Sequence, residues 1–448
     1  MNKKLFPILS AFLLLFSLIE KGQATETYRP ETSVAGFIQL PGSGRQVYNF
    51  NPGWRFFKGD IHGAESVDFD DRSWTIVSTP HTVELMPAEA SGCRNYQGPA
   101  WYRKHFVLPA ETKGKRVLIH FEAAMGKQVL YLNGKRIQEH VGGYLPFTLD
   151  LTTNGIQAGD SCLLAIFVDN SNDKSFPPGK PQYTLDFAYH GGIYRDVWMI
   201  AKSPVSITDP LDSQTVAGGG VFVHFDKISE KSAQVYVNTE LQNDNQHTET
   251  VTVETTLTDA DGKVIKRTSG KLSLKSGEKK IIRQQIEVKS PKLWSPDAPY
   301  LYKVQSRIKK GNQSIDGGIT RIGIRLAEFR GKDGFWLNGK PFVQLVGANR
   351  HQDFAYVGNA LPNSQQWRDA KRLRDAGCTI IRVAHYPQDP SFMDACDELG
   401  MFVIVATPGW QYWNKDVKFG ELVHQNTREM IRRDRNHPSV LMWEPILN

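Results

Sequence analysis

From Tyr48 to Pro204 the apolar residues fall in short runs that alternate with polar ones and end at turn-forming pairs. Val129, Leu130, Tyr131 and Leu132 lead into Asn133-Gly134, and Lys135, Arg136 and Ile137 follow. Asn-Gly between two such runs predicts a two-residue hairpin, because both residues accept a positive φ. Leu163, Leu164, Ala165, Ile166, Phe167 and Val168 read as one buried strand. No segment here repeats at the helical period. The pattern predicts an antiparallel β-sandwich over residues 45–204.

Over residues 205–326 the alternation has a clean period of two. Val235/Val237, Val251/Val253, Leu272/Leu274 and Ile286/Val288 stand between polar neighbours, and Asp261-Gly262 and Ser276-Gly277 mark turns. About seven short strands in this span predict a smaller immunoglobulin-like sandwich.

Near Glu328 the pattern changes. Asn338-Gly339 predicts a hairpin, and Phe342 to Val346 a strand. A helix carrying Trp367, Ala370 and Leu373, capped by Ser364, is expected to end at Gly377. A strand follows from Thr379 to Ala384, then a helix with Phe392, Cys396 and Leu399 that stops at Gly400. The next strand runs from Met401 to Ala406. A third helix should end before Asn436-His437-Pro438, with Glu429 placed to pair with Arg433, and a last strand covers Val440 to Trp443. Strand–helix alternation implies parallel βαβ units. Residues 327–448 hold about four strands, whereas a closed (β/α)8 barrel typically takes ~250 residues and eight. A half-barrel leaves a sheet edge with unpaired backbone groups, so the barrel is expected to continue past residue 448. The alternative is a four-stranded open α/β domain.

Composition adds limits. With 40% hydrophobic and 23% charged residues, the chain of 448 residues has ordinary globular make-up and room for about three domains. The formal charge of +7 comes from scattered Lys and Arg, which argues against a nucleic-acid surface. Lys3 and Lys4 precede an apolar run from Leu5 to Ile19, with Gly22 and Ala24 small. That is the form of a signal peptide over residues 1–24, cleaved after Ala24, and implies a secreted or periplasmic protein. The run is short for a membrane span, and no later one suits. Cys93, Cys162, Cys378 and Cys396 lack metal-ligand spacing and read as free core thiols.

Particular strings carry more than composition does. The first region holds Trp54-Arg55-Phe56, Trp101-Tyr102-Arg103, Gly142-Gly143-Tyr144 and Gly192-Ile193-Tyr194-Arg195-Asp196. The second holds Leu293-Trp294-Ser295-Pro296-Asp297 and Pro299-Tyr300-Leu301-Tyr302. The third holds Asn349-Arg350-His351, Arg382 through His385-Tyr386-Pro387, and Asn436-His437-Pro438-Ser439. In this order over some 400 residues they resemble glycoside hydrolase family 2, the group of β-galactosidases, β-glucuronidases and β-mannosidases. The resemblance implies a galactose-binding-like jelly roll, an immunoglobulin-like sandwich and the N-terminal half of a TIM barrel. It further implies a retaining exo-β-glycosidase, β-galactosidase-like, whose partner is a carbohydrate. It implies no cofactor, leaves room for a Mg or Na ion, and allows a homo-oligomer.

Glycoside cleavage needs one carboxyl group to protonate the leaving oxygen, and in retaining enzymes a second carboxylate, ~5–5.5 Å away, attacks the anomeric carbon. The family sets an Asn-Glu pair at the end of the fourth barrel strand, the Glu being the acid/base. By resemblance Asn448 is that Asn and hydrogen-bonds the sugar 2-hydroxyl. The acid/base is then expected just after Asn448 and the nucleophile on the seventh strand, so that neither catalytic carboxylate lies within the 448 residues. Glu444, a carboxylate near a strand end, is the lesser alternative for the acid/base, since it follows Trp443 directly and stands four residues before Asn448; the spacing from Trp443 also exceeds the common pattern by one residue.

Substrate binding is implied for His351 and His385, which follow the first and second barrel strands and would donate to sugar hydroxyls. Both could instead be satisfied structural groups. Arg382 would orient the site, or serve a structural ion pair. Asn349 would support it, and Trp443, at the end of the fourth strand, is counted among the substrate-binding residues. Asp186 would reach in from the jelly roll, or merely form a turn. Asp353 could be a supporting or a loop acid, and Trp410, Tyr412 and Trp413 could stack on sugar. A second class of function is a non-catalytic carbohydrate-binding protein.

Overall fold

The computed structural model describes residues 39–86, 95–213, 215–342, 344–408 and 412–445; Cys93, Trp410, Asn448 and residues 1–24 lie outside them. The first sandwich packs a four-stranded sheet, ordered Gln46–Asn49, Val197–Lys202, Arg116–Phe121, Phe147–Asp150, against a six-stranded one built around Pro99–Val107 and Ser161–Asp169. Trp54, Tyr102, Phe121, Leu130 and Ile166 fill the space between them. The Asn133-Gly134 hairpin is present, with φ of 50° and 81° and Leu132 paired with Lys135.

Among the described residues the second sandwich has eight strands, one more than the alternation suggests. Ser232–Asn243 runs through one sheet, between Lys279–Lys289 on one side and Val205–Ile207 with Val221–Asp226 on the other. The facing sheet is ordered Val264–Leu274, Glu249–Thr258, Tyr302–Lys310, Gln313–Ile322. The alternating residues named above are all buried, because one face of each sheet is solvated and the other dry.

Among its described residues the third region holds, after a short antiparallel hairpin, a parallel sheet of four strands: β1 (Gly347–Arg350), β2 (Ile380–Val383), β3 (Phe402–Ala406) and β4 (Val440–Glu444), in that order. Helices α1 (Asn363–Asp375), α2 (Pro390–Leu399) and α3 (Val417–Asp434) connect them. Ile381, Val383, Val403 and Val405 pack on Ala370, Phe392, Met393 and Met430 of these helices. Gly400 closes α2 in the left-handed region at φ 73°, a position that suits glycine.

Three local expectations are corrected. The first parallel strand starts at Gly347 and not at Phe342, whose amide instead donates to the Phe335 carbonyl of the Asn338-Gly339 hairpin; residue 343 lies outside the described residues. Ser364 lies inside the first turn of α1, whose N-cap is Pro362 without a side-chain bond; neighbouring Asn363 donates instead to Asp196 of the first sandwich at 2.9 Å. Arg433 turns to the adjacent Asp434, at 2.6 and 2.7 Å, while Glu429 accepts from Gln425.

Buried polar contacts fix the barrel segment to both sandwiches. Arg195 donates to the carbonyls of Tyr144 and Pro387 and to Gln352. Asn436 mimics a strand neighbour, accepting from the Val223 amide at 2.9 Å and donating to the Val221 carbonyl at 2.8 Å. Trp294, fully buried, lies edge-on to Phe402 and donates to the Asp397 carbonyl.

Candidate active site

In parallel β/α sheets, functional groups collect where the strands end, because the loops there are free to vary. His351 directly follows β1 and His385 lies two residues past β2; the Ala384–His385 peptide is cis. Asp186 reaches them from a loop of the first sandwich, and one ligand atom from each of the three lies within 4.8 Å of the others. Asp186 is exposed and His385 buried. The imidazoles meet edge-to-face at 5.4 Å, and Phe187, next to Asp186, lies nearly parallel to His351 at 5.4 Å. Tyr386 stacks on Tyr144 at 4.1 Å beneath them, so two of the motifs quoted above are in direct contact.

Burial pulls the His385 pKa down to about 4, helped by the positive charge of Arg382 and by His351 and opposed by Asp186. Burial also lowers His351, against the pull of Asp353 and Asp186. Both rings are therefore neutral at physiological pH, each with one N–H to donate and one nitrogen to accept. Asp353 lies 3.6 Å from His190. Burial alone would raise its pKa, but His190 and His351 hold it below the usual carboxylate value.

Strand register sorts the remaining candidates. Asn349, Arg382, Ile404 and Met442 align across the sheet on the face turned away from the helices, and Glu444 follows two residues after Met442 on that face. Arg382 donates from Nε and Nη2 to both oxygens of Glu444, at 2.7 and 2.5 Å, and from Nη1 to His385 Nδ1 at 3.1 Å and Asn349 Oδ1 at 3.5 Å. Arg382 is thus both ion-paired and joined to the site. Glu444 has both oxygens committed, which no sequence signal foretold beyond its place at a strand end. Trp443 pairs in register with Val405 and packs into the helix-facing core, opposite Arg382; period-two alternation puts it on the wrong face to join the cluster. Tyr412 and Trp413 lean edge-on against Phe419 of α3 rather than against the imidazoles. Asn448 falls outside the described residues.

Two imidazoles and one carboxylate would suit a transition ion. They are a poor donor set for Mg2+ or Na+, which prefer oxygen. What the cluster offers is a set of neutral donors and acceptors beside an aromatic face, an arrangement that matches the hydroxyls and apolar face of a pyranose.

Three family models match the chain: "Glycosyl hydrolases family 2, sugar binding domain" over residues 64–204, "Glycosyl hydrolases family 2" over 219–325, and "Glycosyl hydrolases family 2, TIM barrel domain" over 329–445. Among curated relatives, a β-galactosidase of Thermoanaerobacter pseudethanolicus is 36% identical over 90% of this chain and 52% of its own length. A β-glucuronidase of Formosa agariphila is 32% identical over 90% of this chain and 42% of its own. The chain therefore spans about half the length of the curated relatives it matches. A crystal structure of Bacteroides uniformis β-glucuronidase superposes with a TM-score of 0.80 at 32% identity, covering 89% of this chain and 46% of that one. Another family 2 β-glucuronidase structure reaches 0.82 at 31%, covering 91% and 44%. With two sandwiches and a parallel β/α segment in the same order as these matches, the chain belongs to glycosyl hydrolase family 2.

Proposed function

We propose that the whole protein is a retaining exo-β-glycosidase of β-galactosidase type, acting on β-linked sugars outside the cytoplasm after removal of residues 1–24. The reading is carried by the meeting of Asp186, His351 and His385 at the strand ends of a family 2 barrel. His351 and His385, neutral, donate to hydroxyls of the terminal sugar; Asp186 accepts from another. A Glu following Asn448 protonates the leaving oxygen, and a second carboxylate on a later strand attacks the anomeric carbon. Water then releases the sugar, with the first Glu taking back a proton. β-Glucuronidase specificity is the second reading, favoured by relatives that bear that name.

The test is the reading frame past codon 448, followed by expression of the whole protein. Nitrophenyl β-galactoside should be cleaved faster than the glucuronide, and Asp186→Asn should raise KM about tenfold or more, the scale of a charged hydrogen bond. The 448-residue chain should cleave neither. Turnover by that chain, abolished by Glu444→Gln, would overturn the proposal. Sugar binding without hydrolysis by the whole protein would favour the non-catalytic alternative. N-terminal sequencing of the exported protein should begin at Thr25.

A further inference from the structure

We propose that Glu444 is a positioning residue: acting through Arg382, it fixes His385 in the tautomer that carries its proton on Nε2. A guanidinium has five N–H donors and no acceptor. The 3.1 Å contact between Arg382 Nη1 and His385 Nδ1 is therefore a bond in which the arginine donates and Nδ1 accepts. A neutral imidazole that accepts at Nδ1 has its proton at Nε2. That edge becomes a donor, suited to a hydroxyl oxygen and closed to a metal ion. The ring that appeared with Asp186 and His351 as a ligand set is held in the form that does not ligate through Nε2.

The direction of the arginine is set from its other end. Glu444 takes the Nε and Nη2 hydrogens in a two-pronged bond, which holds the guanidinium plane and leaves Nη1 to be shared by His385 and Asn349. Arg382 and Glu444 retain only a fifth and a tenth of their side-chain exposure, so the pair is little screened. The charge of Arg382 also opposes protonation of His385, whose pKa is already depressed by burial. A purely structural ion pair would stabilise the sheet without regard to which imidazole nitrogen is protonated.

The tautomer part stands on the structure alone, while the target of the Nε2 proton, a sugar hydroxyl, rests on the proposed function. Nitrogen-15 NMR of the histidine rings in the 448-residue chain separates them, with the His385 signals identified by their loss in His385→Asn. In the wild type, His385 should show unprotonated Nδ1 and protonated Nε2 in a ratio of about ten to one or more, as expected for a charged donor. Arg382→Met should erase most of that bias, Glu444→Gln should reduce it, and Glu444→Asp should restore part of it. The signals of His437, remote from the site, should be unchanged and so report an intact fold. A wild-type His385 protonated on Nδ1 overturns the proposal without any variant, as does a bias that survives Arg382→Met. Calorimetric titration with galactose is the second arm. Should the tautomer shift in Arg382→Met while galactose affinity stays constant, the positioning stands and the sugar-contact reading of His385 fails.

Discussion

Replacing Asp397 by Asn should remove from the pH dependence of this protein's stability the part that His437 contributes. Asp397 is buried in α2 and holds three elements: one oxygen accepts from His437 Nδ1 at 2.6 Å, the other from the Ser439 amide at 3.0 Å, and its carbonyl accepts from Trp294. Burial would favour neutral His437, but the charge and hydrogen bond of Asp397 prevail, with help from Asp394 and Asp434, and the imidazole pKa is pushed up to about 9. Its side chain is only 18% exposed, so solvent screens the pair weakly. In the unfolded chain the value is about 6.5. A folded pKa above the unfolded one stabilises fully below the unfolded value, and the effect is lost as pH rises through the folded one. Each unit is worth 1.36 kcal/mol, so His437 contributes about 3 kcal/mol near pH 6, about 1 near pH 8 and almost nothing near pH 10. Asn at position 397 can still accept from Ser439 and can donate to a neutral imidazole, so only the charge is removed. The variant should therefore be destabilised by about 2–3 kcal/mol near pH 6 and match the wild type near pH 10. Urea unfolding at a series of pH values measures this. Two parallel stability curves, equally displaced at both ends, would show that packing and not charge explains the position.

Three further perturbations test the packing of the sandwiches, two of them where they hold the barrel segment. Trp294→Ala should cost about 3–5 kcal/mol in urea unfolding, as expected for emptying the site of a fully buried aromatic ring; a loss below about 1 would mean that the Ig-like sandwich does not depend on this contact. Arg195→Met should cost about 3 kcal/mol or more by the same assay, since it strands the Gln352 and Asp389 partners in a buried site. Limited proteolysis should then cut the loop between β1 and α1 first. Gly192→Ala should destabilise by more than about 2 kcal/mol in thermal unfolding, because φ is +120° and an added Cβ would lie 2.4 Å from the His81 carbonyl oxygen; a wild-type melting temperature would refute the close approach.

Local pattern made much of the architecture readable. Val235 and Val237, or Ile286 and Val288, alternate with polar residues because one face of their strand is dry, and that rule acts within a few residues. Asn133-Gly134 and Gly400 occur where backbone angles exclude most side chains. The change from period two to strand–helix alternation near Glu328 announced the parallel sheet. One expectation failed because a local rule met a distant partner: Ser364 resembles a cap, but the helix starts one residue earlier and Asp196 of the first sandwich claims Asn363. Another failed to a nearer one, since Arg433 bonds the adjacent Asp434 and not Glu429 a turn away.

The site divides along the same line. Sequence alone determined that His351 and His385 stand at strand ends, because β/α periodicity places the residues after each strand at one rim of the sheet. It could not place Trp443 on a face, since that depends on a register set by pairing with Val405. Nor could it join Asp186 to the imidazoles, or Glu444 to Arg382 across 62 residues. Those contacts were decided only when the sheets twisted and docked, because hydrogen bonds and charges act over a few ångströms of space and are indifferent to distance along the chain.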